Sequence, residues 1–221
     1  MKKQFLFEAY LLVIFIYFAA FSAGCSGVYY KTMETFGKHK RDILVDRVGD
    51  ARDAQEGAKQ QFQTALEKFS SVVNVPSSDL QNKYNQLKSE LDRSETKANA
   101  VHTRIADVED VAKALFSEWK SELKQYSSQD LRRSSEQKLV QTEARYNQLI
   151  RAMKQAERRI DPILAAFRDQ VLFLKHNLNA QAIASLQGEL VSIETNVALL
   201  IKEMDTSIAE ANAFINSMAV E

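Results

Sequence analysis

IASLQGELVSIETNVALLIKEMDTSIAEANAFINSM, running from Ile183 to Met218, holds apolar side chains at positions 183, 186, 190, 193, 197, 200, 204, 208, 211, 214 and 218. The steps between them are of three and four residues, which lines them along one face of an α-helix. A half-buried strand would instead alternate every second residue. The stretch contains no proline and a single glycine, Gly188, so little in it stops a helix.

The same spacing recurs upstream in three more runs. The first holds Leu44, Val48, Ala51, Ala58, Phe62, Ala65, Phe69 and Val72. It ends at Asn74-Val-Pro-Ser-Ser-Asp79, where a proline is followed by a good helix cap. The second holds Leu80, Tyr84, Leu87, Leu91, Ala98, Val101, Ile105, Val108, Ala112, Leu115, Trp119 and Leu123. Ser127-Ser-Gln-Asp130 then predicts a polar turn with Asp130 as the cap. The third holds Leu131, Leu139, Tyr146, Leu149, Met153, Ile160, Ile163, Phe167, Val171, Leu174 and Leu178, and closes at Asn177-Leu-Asn-Ala180. Pro162 within this run predicts a kink or break near Asp161, because proline removes a backbone donor and crowds the preceding turn.

Runs of about 40 residues span roughly 60 Å at 1.5 Å per residue, and turns this short fold neighbouring helices back antiparallel. The expected fold is all-α, an elongated antiparallel four-helix bundle or coiled coil over residues 36–221. Composition agrees. Six Gly and two Pro in 221 residues are too few for a many-stranded sandwich, barrel or doubly wound sheet. Charge is balanced at 29 basic and 29 acidic residues, which offers no global attraction for nucleic acid, and none is expected as a partner. One cysteine excludes an internal disulfide framework.

That cysteine sits in an informative place. Lys2 and Lys3 precede an unbroken apolar stretch from Ala9 to Phe21, and Ser22, Ala23 and Gly24 lead into Cys25. The arrangement resembles a bacterial lipoprotein signal, cut between Gly24 and Cys25, with acyl chains then added to the cysteine. The resemblance implies a signal peptide over residues 1–24, a lipid-anchored linker over 25–35, and a membrane partner held through acyl chains on Cys25. Several acyl chains anchor a protein stably. Ser26 in place of Asp implies the inner leaflet of the outer membrane, with the domain facing the periplasm. A second reading competes. Ala9 to Tyr30 is 22 residues without a charge, long enough for a retained membrane-spanning anchor. Lys31, Lys38, Lys40, Arg41 and Arg47 follow it, so that anchor would place the domain in the cytoplasm.

Chemistry-bearing patterns are sparse. None of the six glycines opens a phosphate-binding GxxxxGK[ST] loop. His39, His102 and His176 lack a carboxylate three residues earlier, the spacing that di-iron bundles use, so they read as solvated helix positions. No metal, cofactor or catalytic residue is expected, and the chain is read as a non-enzyme. The densest charge cluster runs from Lys38 to Asp53. Lys38, Lys40, Arg41, Asp42, Asp46 and Arg47 read first as a solvated, ion-paired helix face and second as a docking surface for lipid head groups or an envelope protein. Arg132 and Arg133 offer a lesser second contact at a helix end. Trp119 reads as core.

The stretch HKRDILVDRVGDARDAQ from His39 to Gln55, with QFQTALEKF from Gln61 to Phe69, resembles the family called domain of unknown function twenty-nine fifty-nine, a group of proteobacterial helical lipoproteins. The resemblance covers nearly all of residues 25–221. It implies an all-helical envelope lipoprotein and no particular activity. The expected role is a non-enzymatic scaffold or membrane-surface module. The alternatives are a single-pass anchored coiled coil, or a bundle that binds a small ligand or metal in its core. Homo-oligomers stay open, since amphipathic stripes pair equally well within and between chains.

Overall fold

A computed structural model describes residues 39–74, 79–177 and 180–219. Among them the chain forms helices α1 (Lys40–Asn74), α2 (Leu80–Glu122), α3 (Gln129–His176) and α4 (Ala180–Ala219), with one 3-10 turn at Leu123–Gln125. The fold is an all-α bundle. α1 lies between α2 and α4, and α3 lies between the same two at the opposite corner.

Cross-helix contacts give the directions. Lys40 meets Glu118 and Gln61 meets Glu90, so α1 and α2 run antiparallel. Trp119 meets Ser135 and Arg168 meets Glu95 between α2 and α3. Gln148 meets Glu210 and Gln155 meets Glu203 between α3 and α4. Arg52 meets Asn212 and Lys59 meets Asp205 between α1 and α4. Every adjacent pair is therefore antiparallel, and the diagonal partners α1 and α3 are parallel.

The apolar stripes fill the space between the helices. All eight apolar positions of the first run are buried, and so are Leu87, Leu91, Ala98, Val101, Ile105, Val108, Ala112, Leu115 and Leu123 of the second. Phe62 and Phe69 of α1 reach across the bundle to Phe167 of α3, with ring centroids 6.4 and 6.0 Å apart. Each such ring removes a large apolar area from water, at about 25 cal/mol per Å².

Two departures from the stripe are informative. Leu131 is 60% exposed rather than core, because the start of α3 extends past the described end of α4. At 207–208 the buried residue is Ser207, not Ile208, which is only partly covered. The Ser207 hydroxyl donates to Gln55 Oε1 at 2.8 Å, and both residues are fully buried, so a polar pair replaces an apolar contact between α1 and α4. Leu178 lies outside the described residues.

Ends are closed by side chains. Asp79 accepts from the Asn82 amide at 3.0 Å and caps α2, as its position after Pro76 predicts. At α3 the cap is Ser128, not Asp130. Its hydroxyl accepts from the Leu131 amide at 3.4 Å, and Asp130 stands in the first helical turn, where a carboxylate still complements the helix dipole. Lys83 of α2 donates to the Val72 carbonyl at 2.7 Å and satisfies one of the orphan acceptors at the end of α1.

Pro162 does not break α3, which is continuous from Gln129 to His176. Pro162 and Arg158 are both on the exposed face, so the carbonyl that loses its helical donor lies where water reaches it. The cost persists in reduced form. Pro162→Ala restores the donor and relieves the ring contact, and is expected to stabilise the bundle by about 1–3 kcal/mol. Chemical denaturation checks this, and an unchanged midpoint would show that the helix already accommodates the ring.

Candidate functional site

Gly24, Cys25 and Lys38 lie outside the described residues. The other members of the predicted docking surface begin α1. Lys40 turns inward, with its side chain only 10% exposed and its ammonium 2.9 Å from Glu118 of α2. Arg41 donates to the backbone carbonyl of Met218 in the last turn of α4, where a cation both fills an orphan acceptor and opposes the dipole. Arg47 pairs with Asp50 at 3.3 Å. Asp42 and Asp46 point outward. The basic start of α1 is thus committed largely to holding the helix ends together, and its outward charges are acidic. Residues 78 and 177 positions apart share no sequence signal, which is why a sequence pattern shows a cluster there and misses its partners.

The seams between helices carry the rest of the charge. On the α2/α3 seam Lys154 bridges Glu109 at 2.7 Å and Glu157 at 3.2 Å. Burial pulls its ammonium down, but the hydrogen bonds to Glu109 and Glu157 outweigh burial and leave it above the usual lysine value. His102 is partly covered, with Nδ1 2.9 Å from Glu157 and Nε2 3.4 Å from Asp161, so it is a seam residue rather than a solvated one. On the α1/α4 seam Lys59 is raised by its hydrogen bond to Asp205 and then by Glu56. Tyr146 packs edge-on against Phe116, and burial, with Glu109 adding to it, pushes its phenol up to about 12. Pairs as exposed as most of these contribute about 0–1 kcal/mol each, so they select register more than they stabilise.

At the α2/α3 end of the molecule the structure differs most from its pattern. Trp119 donates from Nε1 to Ser135 Oγ at 2.8 Å and packs at the edge of the core. Past that pair the chain continues outward through Tyr126, 42% exposed, to the turn and back through Leu131, Arg132 and Arg133, all exposed. Sequence reasoning singled out the two arginines but not Tyr126, and it assigned Leu131 to the core.

Space for a ligand is mostly on the surface. An open groove of about 310 Å³ lies beside Lys68, Asn82, Asn85, Gln86, Ser89 and Arg93. A cavity within the core, between Phe69, Leu91 and Phe167, is about 10 Å³, the room one water needs. Among the described residues no group of three or more His, Cys, Asp or Glu is placed to hold a metal ion, and no helix is long and apolar enough to cross a membrane.

A family model described as a protein of unknown function (DUF2959) matches residues 29–218. The chain belongs to this family. The DUF2959 match spans α1 to α4 and starts within the residues that precede α1, so the bundle is the family's domain. No curated protein is similar to this DUF2959 chain.

Proposed function

We propose that this DUF2959 protein is a lipid-anchored envelope lipoprotein whose bundle serves as a non-enzymatic scaffold or membrane-surface module. The observation that carries the reading is the placement of a single cysteine, Cys25, directly after the apolar stretch Ala9 to Phe21 and the small residues Ser22, Ala23 and Gly24, fifteen positions before α1 begins at Lys40. A chain anchored there joins the bundle at one end, so the helices stand off the membrane as a rod. An interior filled with apolar side chains from Leu44 to Met218 supports a structural role, since the buried groups are engaged in helix packing. Protein taken from bacterial membranes is expected to yield an N-terminal peptide that starts at Cys25 and carries acyl chains. The Cys25→Ala variant is expected to lose that peptide. A peptide that still holds Met1 or Lys2 overturns lipidation and favours the retained membrane helix, with the bundle in the cytoplasm.

A further inference from the structure

The end of the bundle that faces the anchor is not flat. Lys40, the first residue of α1, is level with Glu118, and Met218 of α4 is level with Arg41. Among the described residues, the chain between Trp119 and Ser135 therefore projects past both α1 and α4, by about 10 Å at 1.5 Å per helical residue. This tip is a hairpin of the end of α2, the 3-10 turn and the start of α3.

Two sets of its side chains stand out. Tyr126 and Leu131 are large, apolar and exposed at 42% and 60%. Lys124, Arg132 and Arg133 are exposed as well, and none has an ion-pair partner among the described residues, in contrast to Lys40, Lys59 and Lys154 along the seams. Between Trp119 and Ser135 these three cations, with Lys120, which pairs with Glu143, stand against two acids, Glu122 and Asp130. An amphipathic ring beside an apolar side chain, flanked by cations, suits the boundary between acyl chains and anionic head groups.

Length brings the two together. Thirteen residues, 26–38, separate Cys25 from the described chain, and they reach at most about 45 Å when fully extended. A tether that short confines the α1 end, and with it the tip, to the vicinity of the bilayer. Each cation near an anionic surface then adds roughly fivefold to binding, and the tether raises the effective concentration.

We infer that the hairpin tip docks on the membrane that anchors the chain, with Tyr126 and Leu131 entering the interface and Lys124, Arg132 and Arg133 meeting anionic head groups. The inference rests on the anchored reading above. It gives the bundle two attachment points, a covalent one at Cys25 and a reversible one at the tip, and so a defined tilt rather than free swivelling.

The full protein, extracted from its own membranes, is reconstituted into vesicles of phosphatidylcholine alone or with about one-third phosphatidylglycerol, a proportion that makes the surface anionic. Trp119 is the only tryptophan in the chain, so Tyr126→Trp in a Trp119→Phe background places the single indole at the tip. Brominated acyl chains are expected to quench that indole in the anionic vesicles. Arg132→Glu with Arg133→Glu is expected to lower the docked fraction at least about tenfold while flotation with the vesicles is unchanged. Leu131→Ser is expected to weaken quenching without altering flotation. Protein that floats but shows no quenching overturns the docking and leaves the anchor standing. Equal quenching in neutral vesicles, or quenching indifferent to the charge reversal, overturns the head-group contact. Protein that does not float overturns the anchor and the docking together.

Discussion

Phe62→Ala is expected to lower the stability of the bundle by about 3–5 kcal/mol. Phe62 is fully buried at the middle of α1 and stacks on Phe167 of α3, the diagonal neighbour, at an interplanar angle of 16°. Truncation removes the transfer energy of a ring and leaves a hole that the packed helices cannot easily close, because each is held by its neighbours. Native domains are stable by only about 5–15 kcal/mol, so one ring is a large fraction of the whole. Urea denaturation followed by circular dichroism measures the loss. Phe62→Ala and Phe167→Ala should also be clearly non-additive, since they share one contact. A loss below about 1 kcal/mol would mean that the diagonal contact is not part of the packed core.

Leu200→Asp and Leu199→Asp place the same charge one residue apart on α4, and their effects are expected to differ by several kcal/mol. Leu200 is fully buried, whereas Leu199 is 39% exposed. A carboxylate at 200 must be desolvated without a partner, which at a core position costs at least about 3 kcal/mol together with the lost apolar contacts. At 199 the charge stays in water, and the change should be within about 1 kcal/mol, the difference in helix propensity included. The buried variant carries a second signature. Its carboxyl would have a raised folded value, so the protonated form is the one that fits. Its stability should therefore improve as pH falls through that raised value, and the surface variant should show no such gain. Similar losses at both positions would mean that α4 does not turn Leu200 into the core and Leu199 toward water.

The repeating three-and-four spacing made most of the fold legible. Water excludes apolar side chains whatever their partner is, so Phe62, Val101, Ile160 and Leu200 can be assigned inward from periodicity alone. Turn chemistry was legible for the same local reason, as at Asp79, although at α3 the hydroxyl of Ser128 takes the place expected of Asp130. Whether Pro162 would break its helix was not. Whether a proline breaks a helix depends on whether its orphaned carbonyl meets water or core, and that is a property of the packed bundle. The stripe also failed where a helix has no neighbour among the described residues. Leu131 repeats the pattern of its run, yet it lies on the stretch that outruns α4.

The candidate site was less legible. Lys38, Lys40, Arg41, Asp42, Asp46 and Arg47 form a conspicuous cluster in the sequence, but charge has no direction until partners from other helices arrive. Glu118 and the Met218 carbonyl take up Lys40 and Arg41. His102 finds Glu157 and Asp161 for the same reason, from a helix more than fifty residues away.

The sequence by itself determined the all-α class, the number and length of the main helices and the identity of most core residues, because each follows from local spacing and solvent exclusion. Only the tertiary structure decided which cations close helix ends, why Ser207 and Gln55 are buried together, and that the α2–α3 hairpin stands beyond its neighbours. Those depend on relative register, and register is chosen by contacts between residues far apart in the chain.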